Sequence, residues 1–188
     1  CERSMAETDL SIRIAQSFAD IDPSAWDACA NPPDSNDPDE RFNPFMTHAF
    51  LWACEASGSA TPRTGWGGAH VLVEDGAGKL LAAAPCYLKS HSMGEYVFDQ
   101  GWADAYERAG GRYYPKLQIS VPFTPAPGRR LLVAAGPRDE EARAALISGL
   151  RAVMEKTGAS STHVTFLTKA EWELLGAEGF LQRTNKQF

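Results

Sequence analysis

His70-Val71-Leu72-Val73-Glu74-Asp75-Gly76-Ala77-Gly78-Lys79-Leu80-Leu81-Ala82-Ala83-Ala84-Pro85-Cys86-Tyr87-Leu88 is the stretch whose reading decides the fold. Two β-type runs, His70 to Glu74 and Lys79 to Leu88, flank Asp75-Gly76-Ala77-Gly78, the composition of a tight hairpin turn. An antiparallel hairpin therefore sits near the middle of the chain. Upstream, Asp9 to Ala15 places Leu10, Ile12 and Ile14 at every second position, the period of a half-buried strand. Asp22-Pro23 then supplies an N-cap and a first-turn proline for a short helix through Trp26 and Cys29. Asn31 to Phe42 is rich in Pro, Asp and Asn without periodicity and reads as a mobile loop. A second helix is expected over Thr47 to Ser57, with Phe50, Ala53, Cys54 and Ser57 as its inner face.

Downstream, Ser90 to Pro115 is aromatic and irregular, with a short helix expected at Ala103 to Arg108. Strands follow at Leu117 to Pro122 and Arg130 to Ala134, separated by a proline-rich loop or bulge. The last third carries a helix from Pro137 to Gly158, with Ala142, Ala145, Leu146, Leu150, Val153 and Met154 as one stripe. A buried strand is expected at His163 to Leu167. Thr168 and Glu171 then form a capping box before the helix Lys169 to Glu178, and a final strand runs from Leu181 to Phe188. The order is β-α-α-β-β-α-β-β-α-β-α-β, which implies an α/β chain: a mixed central sheet flanked by helices.

At 188 residues, one domain is the default, spanning residues 6–188 once Cys1-Glu2-Arg3-Ser4-Met5 is set aside as a cloning scar. A net charge of -6 gives no electrostatic reason to expect DNA or an anionic membrane as partner. No run approaches the roughly 20 apolar residues of a membrane span, and the start lacks a basic and apolar leader, so the chain reads as cytoplasmic. Cys29, Cys54 and Cys86 are scattered among small or apolar residues and read as inert thiols, not metal ligands or disulfides.

For chemistry, the richest stretch is Lys89-Ser90-His91-Ser92-Met93-Gly94-Glu95-Tyr96-Val97-Phe98-Asp99, a loop that places a lysine, a histidine and two acids within a dozen residues. Such a loop can supply a general base. The competing reading makes His91 and Glu95 solvated loop residues, with Tyr96 and Phe98 as anchors. Trp66 and Trp102 lie among glycines in expected loops, where an exposed ring suits a sugar or peptide ligand. Motifs for hydrolases, zinc proteases, nucleotides and dinucleotides are lacking, and no metal site is expected.

Several runs resemble a bacterial FemAB-like family, named for peptidoglycan biosynthesis or recognition and grouped with the GNAT N-acyltransferases. They are Asn43-Pro44-Phe45-Met46-Thr47-His48-Ala49-Phe50-Leu51, Pro62-Arg63-Thr64-Gly65-Trp66, the stretch from Tyr87 to Asp99, Gly101-Trp102-Ala103-Asp104-Ala105-Tyr106, Tyr113-Tyr114-Pro115-Lys116-Leu117-Gln118 and Val121-Pro122-Phe123-Thr124-Pro125. The resemblance implies a GNAT-like acyl-CoA N-acyltransferase fold, present as the N-terminal half of a larger protein whose twin domain follows. It implies transfer of an acyl or aminoacyl group to an amine, with acyl-CoA or aminoacyl-tRNA as donor and a small molecule or peptidoglycan precursor as acceptor. His91 and Glu95 are then the candidate bases, and Lys89, Tyr96, Asp99 and Trp102 the candidate acceptor contacts. Two other roles stay open: a peptide- or glycan-binding module without catalysis, and a structural half whose final strand pairs with the twin. GNAT domains hold the CoA pyrophosphate on a glycine-rich turn at a helix start. The turn here, Ala134-Ala135-Gly136-Pro137-Arg138-Asp139-Glu140-Glu141, lacks that motif and sets three acids at the helix's positive end. Cofactor binding in this half is therefore expected to be lost or altered.

Overall fold

The computed structural model describes residues 10–33, 41–97 and 99–184. Two four-stranded sheets form its frame. The first, ordered β1-β3-β4-β7, joins β1 (Ser11–Ala15), β3 (His70–Glu74), β4 (Leu80–Ala84) and β7 (Leu132–Val133), all antiparallel. The second, ordered β2-β5-β6-β8, joins β2 (Trp66–Gly68), β5 (Cys86–Lys89), β6 (Lys116–Ile119) and β8 (Thr162–Val164). Its last pair, β6 and β8, is parallel, so the architecture is mixed α/β as expected.

The central hairpin turns on Asp75, whose Oδ1 accepts from Ala77 N and Lys79 N at 2.9 Å each, with Gly78 at φ +80°. The run from Lys79 to Leu88 is not one strand, however. Pro85 has no N–H for the ladder, so the chain bends there and passes from the first sheet to the second. Ala69 marks the matching bend between β2 and β3, and its N–H donates to Cys86 O at 2.9 Å across the corner. The two hairpin arms thus run through both sheets. β2 had no counterpart in the expected order, because Trp66-Gly67-Gly68 carries no apolar alternation.

Both faces of the first sheet are covered, which explains why its strands are continuously apolar. Val71, Val73, Ala82, Ala84 and Val133 pack under α4 (Asp139–Thr157), against Ala142, Leu146, Leu150 and Val153. Leu72, Ala83 and Leu132 point the other way, towards Trp26 of α1 (Pro23–Ala30) and Leu51 of α2 (His48–Ala56). Asp22 caps α1 by accepting from Ala25 N at 2.7 Å. α2 turns a different face inward from the one expected. His48 and Leu51 are buried while Ala53 and Ser57 are exposed. Buried hydrogen bonds outweigh apolarity here: His48 Nε2 bonds Phe18 O at 2.8 Å, and Glu55 binds Ser17 Oγ, Phe18 N and His70 Nε2.

α3 (Gln100–Arg108) starts three residues earlier than expected, and α5 (Lys169–Ala177) is capped by Thr168 Oγ1. The reciprocal half of that capping box is not made. Glu171 instead accepts from Arg130 N and Leu131 N, just ahead of β7, which fixes α5 to the start of that strand. Residues 181–184 are not a strand; the rest of that expected strand, the core of the expected loop at 34–40 and the residues set aside at the start lie outside the described residues. Cys29 and Cys86 are buried, and burial pushes their thiols up to about 11 and about 12. All three internal thiols are free. Among the described residues, no helix is long and apolar enough to cross a membrane.

Candidate functional site

The second sheet has two unlike faces. Leu117 and Ile119 of β6 join Cys86 of β5 in the apolar core beneath α4. The strand period of two then obliges their neighbours onto the opposite face. The ladder sets Trp66 beside Lys89, Lys89 beside Lys116, and Tyr87 beside Gln118. These five residues form a polar and aromatic face that is fully buried.

Segment 91–97 and the head of α3 cover its Trp66, Lys89 and Lys116 end, whereas Tyr87 packs with Ala60, Cys54 and His70 and Gln118 Nε2 donates to Thr165 Oγ1 at 2.8 Å. Lys116 Nζ donates to Ser92 Oγ at 2.8 Å, to Glu95 Oε2 at 2.7 Å and to Asp99 Oδ2. Tyr113 Oη also donates to Asp99 Oδ2, at 2.7 Å, and Ser92 Oγ lies 2.7 Å from Tyr114 Oη. Lys89 Nζ donates to Met93 O at 3.2 Å, sits 3.9 Å from Glu95 Oε1 and lies 3.5 Å over the Trp66 ring, a cation–π contact. Two ammonium groups and two carboxylates thus share one buried enclosure. Among the described residues, Glu95 Oε1, Asp99 Oδ1, Gln118 Oε1 and Tyr87 Oη have no hydrogen-bond partner.

Burial raises the Glu95 carboxyl above its ordinary value, with the Lys116 ammonium opposing. Burial also pushes Asp99 up, but the bonds it receives, first from Lys116, outweigh that and leave it lowered. Burial brings Lys89 down to about 8, with Glu95 opposing and Lys116 assisting. His163, on β8 beside Gln118, falls to about 4 through burial and then the charge of Lys116. A carboxylate of raised pKa in a buried site is a fit acceptor for a proton from a bound amine. The ammonium groups beside it can hold an anion or a developing oxyanion.

Lys89 makes a signed prediction. Its folded pKa, about 8, lies below the ordinary 10.5, so between those values the unfolded chain holds a proton that the folded chain has shed. Stability should therefore rise with pH from about 8, by up to about 1.4 kcal/mol per unit. Urea unfolding at pH 8 and 9.5 reads the rise, which Lys89→Met should flatten. Equal slopes in both proteins would mean that Lys89 is not the group responsible.

Of the residues singled out in sequence, Lys89, Glu95 and Asp99 come together in this enclosure. His91 does not join them: its ring packs on Gly65, where a Cβ would lie 2.2 Å from Nε2, and its Nδ1 accepts from Met93 N at 3.2 Å. It sits half-buried at the rim, and burial and then Lys89 lower its pKa. Tyr96 and Trp102 face outward, 50% and 61% exposed, and the Arg183 guanidinium lies 4.1 Å from the Trp102 ring centre. Trp66 is not a loop platform but a buried strand residue. Sequence reasoning missed Lys116, Tyr113, Ser92 and Gln118. The signal was the alternation Lys116-Leu117-Gln118-Ile119, which reads as a strand with one solvated face; only the tertiary packing buries that face.

The start of α4 does not fit a CoA pyrophosphate. Asp139, Glu140 and Glu141 fill its first turn, Arg138 is bound to Glu141 at 2.8 and 3.0 Å, and Asp139 Oδ1 takes the N–H of Glu140. A separate cleft of about 520 Å³, between residues 41–46, 126–129 and 167–169, contains none of the buried cluster.

The family model described as FemAB-like, peptidoglycan biosynthesis/recognition, matches residues 17–188. The chain belongs to this FemAB-like family. No curated protein is significantly similar to the FemAB-like chain. Among solved structures, an acetyltransferase from Trypanosoma brucei is 13% identical at a TM-score of 0.49, with 96% of this chain and 98% of that one covered. A candidate acetyltransferase from Deinococcus radiodurans R1 is 18% identical at a TM-score of 0.43, with 100% of this chain and 90% of that one covered. Both scores lie below 0.5, so the likeness carries no argument about this chain.

Proposed function

We propose that this FemAB-like chain is a GNAT-like domain, the acceptor-binding N-terminal half of a cytoplasmic N-acyltransferase. The transferred group is acyl or aminoacyl, and the acceptor is an amine on a small molecule or a peptidoglycan precursor. The observation that carries the reading is the buried polar face under segment 91–97, with Glu95 held between Lys89 and Lys116. In the transfer, the amine nitrogen attacks the donor's carbonyl carbon. A C–N bond forms, the carbonyl carbon's bond to its leaving oxygen or sulfur breaks, and the proton shed by nitrogen passes to Glu95. His91, at the rim, is the second candidate base, Lys89 and Asp99 contact the acceptor, and Tyr96 and Trp102 offer outer contacts. The donor belongs to the twin domain, because the acidic start of α4 offers it no phosphate site here.

The test is transfer to amine acceptors by the full-length protein, with acyl-CoA and aminoacyl-tRNA each supplied as donor. Glu95→Gln should lower kcat by about 10²–10⁴-fold, while His91→Ala, outside the cluster, should lower it less. Full turnover in both variants would remove them as bases. The word recognition in the family description favours one second reading, a cell-wall peptide- or glycan-binding module without catalysis. Turnover by the isolated chain would exclude that reading.

A further inference from the structure

The cover over the polar face is patterned backwards. In a segment that packs on a protein interior, apolar side chains should turn in and charges out. In segment 91–97 the one buried side chain is that of Glu95, whereas Met93 and Tyr96 are 66% and 50% exposed. Glu95 is turned inward by its neighbours: Gly94 stands at φ +80° and Tyr96 at φ +56°, left-handed values that cost a residue with a Cβ about 1 kcal/mol or more. Inside, its carboxylate bridges two lysines, 2.7 Å from Lys116 Nζ and 3.9 Å from Lys89 Nζ, and its Oε1 has no hydrogen-bond partner among the described residues. A buried ion pair of this kind is a poor source of stability, since apolar residues of similar volume serve as well or better. Asp99 lies outside the segment, at the head of α3, and holds Lys116 independently. Besides Glu95, the segment is held by Ser92 Oγ, which accepts from Lys116 Nζ at 2.8 Å and lies 2.7 Å from Tyr114 Oη, by the backbone contacts Phe123 N to Gly94 O at 3.1 Å and Lys89 Nζ to Met93 O, and by the His91 ring on Gly65.

We infer that segment 91–97 is a lid, that Glu95 occupies the seat of a ligand anion between Lys89 and Lys116, and that the ligand carries a carboxylate or phosphate which displaces it. This rests on the polar face as the acceptor site, and not on acyl transfer.

The test is calorimetric titration of the protein with glutarate and with inorganic pyrophosphate, together with hydrogen exchange at the amides of 91–97. Glu95→Gln keeps the shape of the lid but removes the internal competitor, so at least one anion should bind it about tenfold more tightly than it binds the native chain. Lys89→Met should abolish the gain, and bound anion should speed exchange in 91–97. A response to glutarate alone identifies a carboxylate ligand, and to pyrophosphate alone a phosphate ligand. No binding to either protein, no tightening in Glu95→Gln, or unchanged exchange would overturn the proposal. Because nothing in the test depends on turnover, the lid and the transfer reaction can fail separately.

Discussion

Lys116→Met should cost about 3–5 kcal/mol, the range for removing one partner of a buried ion pair. Lys116 is buried, and its ammonium group is the shared partner of Glu95 and Asp99. Methionine fills much of its volume but leaves two carboxylates enclosed together, which repel each other and have lost a donor. The deficit should depend on pH with a definite sign. In the variant both carboxyls are raised, so stability is retained where they are protonated and falls as pH rises through their folded values. Denaturant unfolding at pH 5 and pH 8 should show the larger loss at pH 8. Lys116→Met combined with Asp99→Asn should recover much of the loss, because Glu95 then keeps the Lys89 ammonium, 3.9 Å from its Oε1, without a second carboxylate beside it. A single variant as stable as the native chain at both pH values would mean that the cover opens readily and admits water to the carboxylates.

Arg130→Met should be of similar size, about 3–5 kcal/mol, or a fall of roughly 6–20 °C in Tm. Arg130 is fully buried, and burial takes its guanidinium down to about 10, with Glu171 opposing. Its donors bind Ala126 O at 2.6 Å, Gly128 O at 3.1 Å, Arg129 O at 3.1 Å and Thr165 O at 3.0 Å. One side chain thereby organises the proline-rich loop between β6 and β7 and ties it to the end of β8. Methionine would leave those carbonyls without that donor and remove the Arg130 charge that opposes the raised pKa of the buried Glu171. Arg130→Lys keeps the charge but not the planar fork, and should recover only part of the loss. A scanning calorimetry trace for Arg130→Met within 2 °C of the native chain would assign the loop's order to other contacts.

The local elements were legible in sequence wherever one residue type answers one local need. Asp22, Thr47, Thr168 and Gly158 mark helix ends because a helix leaves backbone groups that these residues satisfy within a turn. Asp75 to Gly78 marks the hairpin for the same reason, and the stripe of α4 is the buried one. Lys89, Glu95 and Asp99 were legible as candidates because chemistry-bearing residues crowded one loop. Tertiary structure alone decided the rest. Pro85 breaks a strand, but only the packing sends its two halves into different sheets. Glu55 and His48 turn inward on α2 because their partners, His70 and Phe18, arrive from far along the chain. Lys116 and Gln118 read as a solvated face, since local pattern records polarity and not what lies above it. Twenty-one residues away from Lys116, Glu95 reaches over the Lys116 end of that face, and Thr165 meets Gln118. The site thus depends on charges brought together across the chain, and the energy of a charge is set by its surroundings, not by its place in the sequence.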